Sequence, residues 1–418
     1  MVATSKNPNG HRNGGKSKKP MTPRILTVNG GSSSIKFALF EPGGRGKRIF
    51  SGQISGIGLA KGVFAVKDSK GMQRFSKAVE VRNQSAAVKI LMGWMEAELG
   101  EGALAAVGHR IVHGGPKYWQ PQRITEEVLT DLHAFSPFDP EHLPGEILLV
   151  KALQQRYPEL LQVACFDTAF HHDLPRVAQL LPIPRRYHAK GVRRYGFHGL
   201  SCEYLMHHLE AVAGKRAAHG RVILAHLGNG ASVTAVREGK SMDTSMSFTP
   251  TAGLTMSSRS GDLDPALGWY LLSTEHLTPK QFQHMVNHES GLLGISETSP
   301  DMRMLRARAV KDPRAAEAVA IFCYQTRKWI ASLAGALGGL DTLVFAGGIG
   351  EHDEITRDQI CDGLKFLGIK LGRKRNKAGA DVISKKGSAV TVRVIKTDEE
   401  WIMARAVGRI LSKSKERK

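Results

Sequence analysis

Cysteine is scarce in this chain and never clustered: Cys165, Cys202, Cys323 and Cys361 stand far apart, with no CxxC among them. That spacing argues against a disulfide framework and a zinc knuckle, and points to a reducing, cytoplasmic compartment. Long apolar runs are also missing. The longest, Trp329 to Leu340, holds Ser332 and several glycines and stops at Asp341, well short of the roughly 20 residues of a membrane span. Nor does the N-terminus have an apolar core. Met1 to Pro20 carries Lys6, Arg12, Lys16, Lys18 and Lys19 among Gly, Asn and Ser, so residues 1–22 read as a disordered basic tail rather than a signal peptide. Aromatic residues make up only 6%, and the formal charge of +21 is spread without a ring-rich stripe on which bases could stack. The pattern argues against nucleic acid as a partner and is better explained by an anionic small substrate.

What is present is enough apolar material for more than one core. With 418 residues, 41% of them hydrophobic, two α/β domains with a cleft between them are expected.

The stretch "ILTVNGGSSSIKFALF" (residues 25–40) sets two apolar runs around Asn29-Gly30-Gly31-Ser32-Ser33-Ser34. Asn-Gly between alternating apolar residues is a hairpin signal, and a plain hairpin would explain this loop taken alone. The same turn would also gather backbone N–H groups and hydroxyls into a nest for phosphate oxygens. The pattern returns half a chain later in "ILAHLGNGASVTAVREGKSMDTS" (residues 223–245). Two such units predict two similar domains whose hairpin turns face one cleft, and two opposed nests suit a polyphosphate, although two ordinary hairpins remain open. A third segment, "LVFAGGIGEHDEITR" (residues 343–357), reads as a strand, glycines, and a helix beginning near Glu351-His352-Asp353. It is a nucleotide-proximal pattern or a mere corner. No Gly-Lys-Ser/Thr follows it, so it is not a Walker A loop.

Between these loops lie charged residues among apolar ones: Arg110 and His113 in "GHRIVHGG", Asp167 in "ACFDTAFHH", His198 in "RRYGFHGLS", and Arg259, Asp262 and Asp264 in "MSSRSGDLDP". Each has a plainer explanation. His109 and His113 are spaced like a zinc helix, but the glycines forbid a long helix; His198 alone would serve as a structural histidine. Asp264 before Pro265 fits a cap, and either arginine would suit a buried ion pair. Together, two arginines, a histidine and an aspartate would neutralise a small carboxylate and a phosphoryl group in transfer.

"NGGSSSIKF", "HRIVHGG", "FDTAFH", "RRYGFHG", "HLGNGAS", "DTSM", "FTP", "RSGDLDP" and "GGIGE", in this order from about Arg24 to Val407, resemble the acetate kinase family. The resemblance implies an α/β fold of two duplicated actin-like (ribonuclease H-like) domains with an ATP cleft between them. Residues 23–166, completed by 398–418, would form the first domain. Residues 167–397 would form the second, with nucleotide and homodimer contacts. It implies ATP as co-substrate, a small carboxylate as acceptor and Mg²⁺ (or Mn²⁺) as cofactor. Arg110 and Arg259 would hold the carboxylate and phosphoryl oxygens, and His198 would hydrogen-bond the phosphoryl group. Asn29, Ser32, Ser34 and Lys36 would face the polyphosphate from one side and His226, Gly228, Asn229 and Gly230 from the other. Asp301, Arg303, Gly348, Ile349 and Gly350 would surround the adenosine. Asp167, Glu399 and Asn29 would organise the metal, and Val112, Phe197 and Pro250 would enclose the alkyl group.

The chain departs from the family's pattern in places. "SPFDP" replaces PLHNP, putting Phe138 at the histidine; "HGLSC" replaces HGTSH, giving Cys202. "MSFTPTAGL" brings Ser247 and Thr251-Ala252, and "GIGEH" ends on His352. Acetate is the first expected acceptor, with propionate or butyrate as alternatives. An actin-like ATPase coupling hydrolysis to partner binding is the alternative of another class.

Overall fold

Ile25, Leu26 and Val28 make the strand β1 (Arg24–Gly30) apolar on both faces, which suits a central place in a sheet. The structure, a computed structural model, describes residues 24–415 except 32–33, 43–45 and 101. The basic N-terminal tail and Ser32 lie outside them. β1 pairs antiparallel with β2 (Ser34–Phe40), with Asn29 opposite Lys36, so the first glycine bend is a hairpin. β3 (Arg48–Ser55), β4 (Gly62–Asp68) and β5 (Gln73–Val79) continue the sheet outward to a mostly exposed, charged edge. On the other side of β1 lie β6 (Leu104–Ile111) and β8 (Leu161–Phe166), both parallel to it, and the two-residue β7 (Gln122–Arg123).

The second sheet repeats this plan. β9 (Arg221–Leu227) takes the part of β1, with β10 (Ala231–Arg237) and β11 (Lys240–Thr244) antiparallel on one side. β12 (Thr342–Ala346) and β13 (Thr391–Val394) lie parallel on the other. The order β11-β10-β9-β12-β13 matches β3-β2-β1-β6-β8, so the duplication read from the two glycine bends is a duplication of fold.

The bends themselves differ from the expected tight turn. Neither Gly30 nor Gly31 has a positive φ. Gly30 instead lies close to the helix Leu143–Arg156: an added Cβ would lie 2.6 Å from Leu149 Cδ2, so the end of that side chain would have to move. After β12 the helix begins at Gly347, not near Glu351. Gly347 turns the corner at φ 76°, where a side chain would be strained, and the helix runs Gly347–His352. Asp353 then caps the next helix, Glu354–Asp362, through the N–H groups of Ile355 and Thr356.

The largest apolar cluster joins both sheets, bringing Ile111, Phe166 and Phe197 together with Ile223, Val233 and Phe345. The helix Glu399–Lys415 returns to the first sheet and sets Ile402, Met403 and Val407 against Ile25, Ala38 and Cys165. All four cysteines are buried and free. Among the described residues, no helix is long and apolar enough to cross a membrane.

Candidate active site

The parallel strands present the candidate side chains at their carboxyl ends, where open α/β sheets take ligands. Asn29 lies near the end of β1, Arg110 near the end of β6, Asp167 just after β8, His226 near the end of β9, and Gly348 and Ile349 after β12. A cleft of about 1010 Å³ lies across these ends. Asn29 and Lys36 border it from the first hairpin and Gly228, Asn229 and Gly230 from the second, so the two bends face one space. His198, His226, Gly348, Ile349 and Glu399 complete its inner wall. Asp301 and Arg303 stand at one side, paired with each other at 2.6 Å. Arg303 pulls the Asp301 carboxyl down to about 2, and Asp301 also caps the helix Met302–Arg308. Ser34 opens β2, its carbonyl accepting the Gly31 N–H. Gly350 is buried, and a Cβ built on it would meet Phe345 and the Ala225 carbonyl.

At the other end the charged residues converge. Asp167 Oδ2 accepts from Arg110 Nη2 at 2.7 Å and from the His198 backbone N–H at 3.0 Å, while Oδ1 is buried with no hydrogen-bond partner. His198 sits in the left-handed region (φ 56°) ahead of the helix Gly199–Ala218. That conformation is uncommon for a residue with a side chain, and it is held here by several contacts. Its Nδ1 meets Ser232 Oγ at 2.9 Å, and its ring stacks on His226 at 4.2 Å. His226 is in turn tied to Ser201 Oγ at 2.8 Å. A Cβ on Gly230 would lie 3.2 Å from His198 Nε2 and 3.8 Å from Arg259 Nη1, so the second bend touches both groups.

The electrostatics follow from burial among cations. Burial, then His226, Arg110 and Arg259, hold His198 well below the ordinary histidine value, and burial lowers His226 to about 4. Both rings are therefore neutral at neutral pH. Burial opposes the charge of Arg110, but Asp167, Glu146 and Glu399 outweigh it. Arg259 has no carboxylate partner among the described residues: it reaches the Pro250 carbonyl at 3.4 Å and His142 Nε2 at 3.1 Å, and burial lowers its pKa. Val112, Phe197 and Pro250 are buried nearby.

A model of the acetokinase family matches residues 24–405. The chain belongs to the acetokinase family. It is 44% identical over 396 residues to an acetate kinase of Rhodopseudomonas palustris, covering 93% of this chain and 99% of that one. It is 39% identical over 398 residues to a propionate kinase of Citrobacter rodentium, covering 93% and 97%. The crystal structure of Porphyromonas gingivalis acetate kinase superposes with a TM-score of 0.83 at 34% identity, over 93% of this chain and 100% of that chain.

Set against the acetokinase pattern, two of the departures find physical places. Phe138 joins a cluster of rings, 5.5 Å from His113 and 5.2 Å from Phe248. Cys202 is buried against Thr234, and burial pushes its thiol up to about 12. His109 lies on strand β6 and meets Gln162 at 2.7 Å. Asp264 is a cap, accepting from the Ala266 N–H at 2.7 Å, and Asp262 accepts from the Gly253 N–H.

Sequence reasoning missed Glu146, Asp139, His142 and Ser232. Glu146 left a trace, since it falls on the buried stripe Leu143, Ile147, Val150 and Leu153 of its helix, where a solvated glutamate does not belong. Its Oε2 accepts the Val112 N–H at 2.8 Å, and Arg110 lies 3.5 Å from Oε1. Burial pushes this carboxyl up to about 8, against the pull of Arg110 and Val112. Because the folded value lies above the unfolded one, stability falls as pH rises from about 4.5 towards 8, then levels off. Glu146→Gln keeps the acceptor for Val112 and removes this titration. Relative to the unsubstituted protein, its unfolding free energy should rise between pH 5 and 9 by up to about 5 kcal/mol, seen as a growing difference in melting temperature. Parallel thermal melts across that range would refute the assignment.

Proposed function

We propose that this chain is an acetate kinase, transferring the γ-phosphoryl group of ATP reversibly to acetate to give acetyl phosphate and ADP by direct in-line displacement. The observation that carries it is the meeting of Arg110, Arg259 and a neutral His198 at the end of a cleft bordered by both glycine bends. A carboxylic acid with a pKa of about 4 to 5 is already ionised at neutral pH, so the nucleophile needs no general base. Asp167, already accepting from Arg110 and His198, is suited to orienting rather than to taking a proton. The obstacle is repulsion between two anions. The guanidinium groups relieve it while holding the reactants in line, and His198 hydrogen-bonds the phosphoryl oxygens without a net charge to titrate near pH 7. Asn29, Lys36, His226 and the Gly228–Gly230 bend would hold the polyphosphate, and Asp301, Arg303, Gly348 and Ile349 the adenosine.

Asp167 and Glu399 fit a divalent cation. Asp167 Oδ1 is a buried acceptor without a partner, and burial plus the Asp167 charge push Glu399 up to about 7, a burden that a cation would lift. Two carboxylates with phosphate oxygens and water are the donor set that Mg²⁺ favours; bound there, it would screen the polyphosphate. The four buried free thiols support a reducing, cytoplasmic setting. The strands of the first sheet and the return of the last helix support one domain at 23–166 completed by 398–418, with 167–397 as the other.

A homodimer is supported by the helix Pro265–Ser273, which is apolar in sequence yet buries none of its residues; Trp269 is 73% exposed. Trp269→Asp should shift the protein from dimer to monomer in analytical ultracentrifugation at micromolar concentration. A sedimentation coefficient unchanged from the unsubstituted protein would place the contact elsewhere.

The deciding experiment is acyl hydroxamate formation from ATP, hydroxylamine and acids of two, three and four carbons. The highest kcat/KM is expected with acetate. A preference for three carbons would move the protein to the propionate kinases, as one methylene is worth only about 1 to 3 kcal/mol in a pocket. Product from none of the acids, with ATP still hydrolysed, would favour the actin-like ATPase.

A further inference from the structure

Arg259 carries a charge that the proposed transfer needs, yet none of the described carboxylates is paired with it. Its nearest polar neighbour is a histidine from the other half of the molecule: Nη2 lies 3.1 Å from Nε2 of His142. A guanidinium has only donors, so Nε2 must accept and the ring proton must sit on Nδ1. That atom has its own acceptor, Asp139 Oδ1, at 2.8 Å. The same oxygen takes the His142 backbone N–H at 3.1 Å, and the Asp139 carbonyl accepts from Leu143 at the start of the helix Leu143–Arg156. Asp139 is buried at 2% exposure. The ring is thus fixed at both nitrogens, and its tautomer is set by a carboxylate behind it, as second-layer carboxylates do for ligating histidines.

The choice of imidazole has a consequence that a carboxylate would not. An aspartate placed directly on Arg259 would orient the guanidinium but neutralise it, leaving less charge for the anionic reactants. A neutral imidazole orients it and leaves the charge in place, while Asp139 favours that charge from one residue further back. The contact also joins segments 117 positions apart. Beside it, Glu141 meets His288 at 2.9 Å and Gln283 at 3.3 Å, so the segment holding His142 is anchored to the same half that carries Arg259.

We propose that His142, held by Asp139, is the positioning residue that aims Arg259 into the active site. Phe138, at the position where the family pattern has histidine, is turned into the ring cluster, and His142, four residues on, supplies the imidazole that meets the arginine. This role rests on the phosphoryl-transfer reading above.

The test has a kinetic and a spectroscopic arm. His142→Ala should lower kcat in the hydroxamate assay on the order of 10- to 100-fold, the scale of a misplaced reacting group. KM for ATP should stay within about twofold, since the glycine bends hold the nucleotide. His142→Gln places an amide oxygen where Nε2 was and should recover most of the loss. A kcat for His142→Ala within twofold of the unsubstituted enzyme would overturn the role, as would a Gln variant no better than Ala. In the second arm, long-range ¹H–¹⁵N spectra of ¹⁵N-histidine-labelled protein, with His142→Gln for assignment, should show the Nδ1–H tautomer. An Nε2–H or doubly protonated ring would overturn the contact. Unsubstituted protein that makes no hydroxamate would overturn the proposed function, and the part of His142 in turnover with it, while the ring spectrum would still report the contact by itself.

Discussion

Arg259→Ala is expected to lower kcat for hydroxamate formation on the order of 10³-fold, the lower end of what a transition-state arginine contributes. The guanidinium lies beside the Gly230 bend and His198, and its Nη1 reaches the Pro250 carbonyl at 3.4 Å. Its charge is most valuable when the phosphoryl group carries charge on its equatorial oxygens while an acid anion approaches. The loss should therefore fall on kcat and on KM for the acid rather than on KM for ATP. Folding should suffer little, because none of the described carboxylates is ion-paired to Arg259; Asp139 loses a favourable neighbour but keeps His142. Lysine should restore only a small part, since an ammonium cannot span two oxygens as a planar fork does. Steady-state rates at saturating ATP with thermal melts alongside would decide it, and a loss of tenfold or less would remove Arg259 from the transition state.

What made Arg259, Arg110, His198 and Asp167 legible in the sequence was their company: each interrupts a short run of apolar or small residues, where a solvated charge has no reason to be. The hairpins were legible for a similar reason. Alternating apolar residues around a glycine turn specify two paired strands whatever the rest of the chain does, and their recurrence half a chain later specifies a repeat. The purpose of the glycines was not. Gly30 lies against Leu149, and Gly230 against His198 and Arg259, approaches fixed only when distant segments pack. His142 and Asp139 stayed hidden because a histidine and an aspartate before a helix look like ordinary capping residues. Only the meeting of the two halves turns one of them onto an arginine 117 positions away. The corner at Gly347 was misjudged for a local reason, as the glycines that suggested a loop are themselves the first turn of the helix.

Asp167→Asn should cost both catalysis and stability, and the second cost identifies its partner. The carboxylate has one oxygen committed to Arg110 and the His198 N–H, and the other buried and unpaired. An amide can keep the first arrangement only by turning its NH₂ to the vacant side, where it offers a donor in place of the free oxygen that the proposed cation would take. The expected result is a fall in kcat on the order of 10² to 10³-fold with a higher Mg²⁺ requirement, and a loss of about 3 kcal/mol from leaving Arg110 without its close counterion. Glu146, 3.5 Å from the same guanidinium, is then the remaining short-range acceptor of that charge. Its carboxyl, held up to about 8 by burial while Asp167 is present, should ionise at lower pH once that neighbouring negative charge is gone. Glu146→Gln should thus be mild or stabilising near pH 8 alone and clearly destabilising in the Asp167→Asn background. The double-mutant coupling should exceed about 1 kcal/mol. Additive effects would mean that Arg110 is held by something other than these two carboxyl groups.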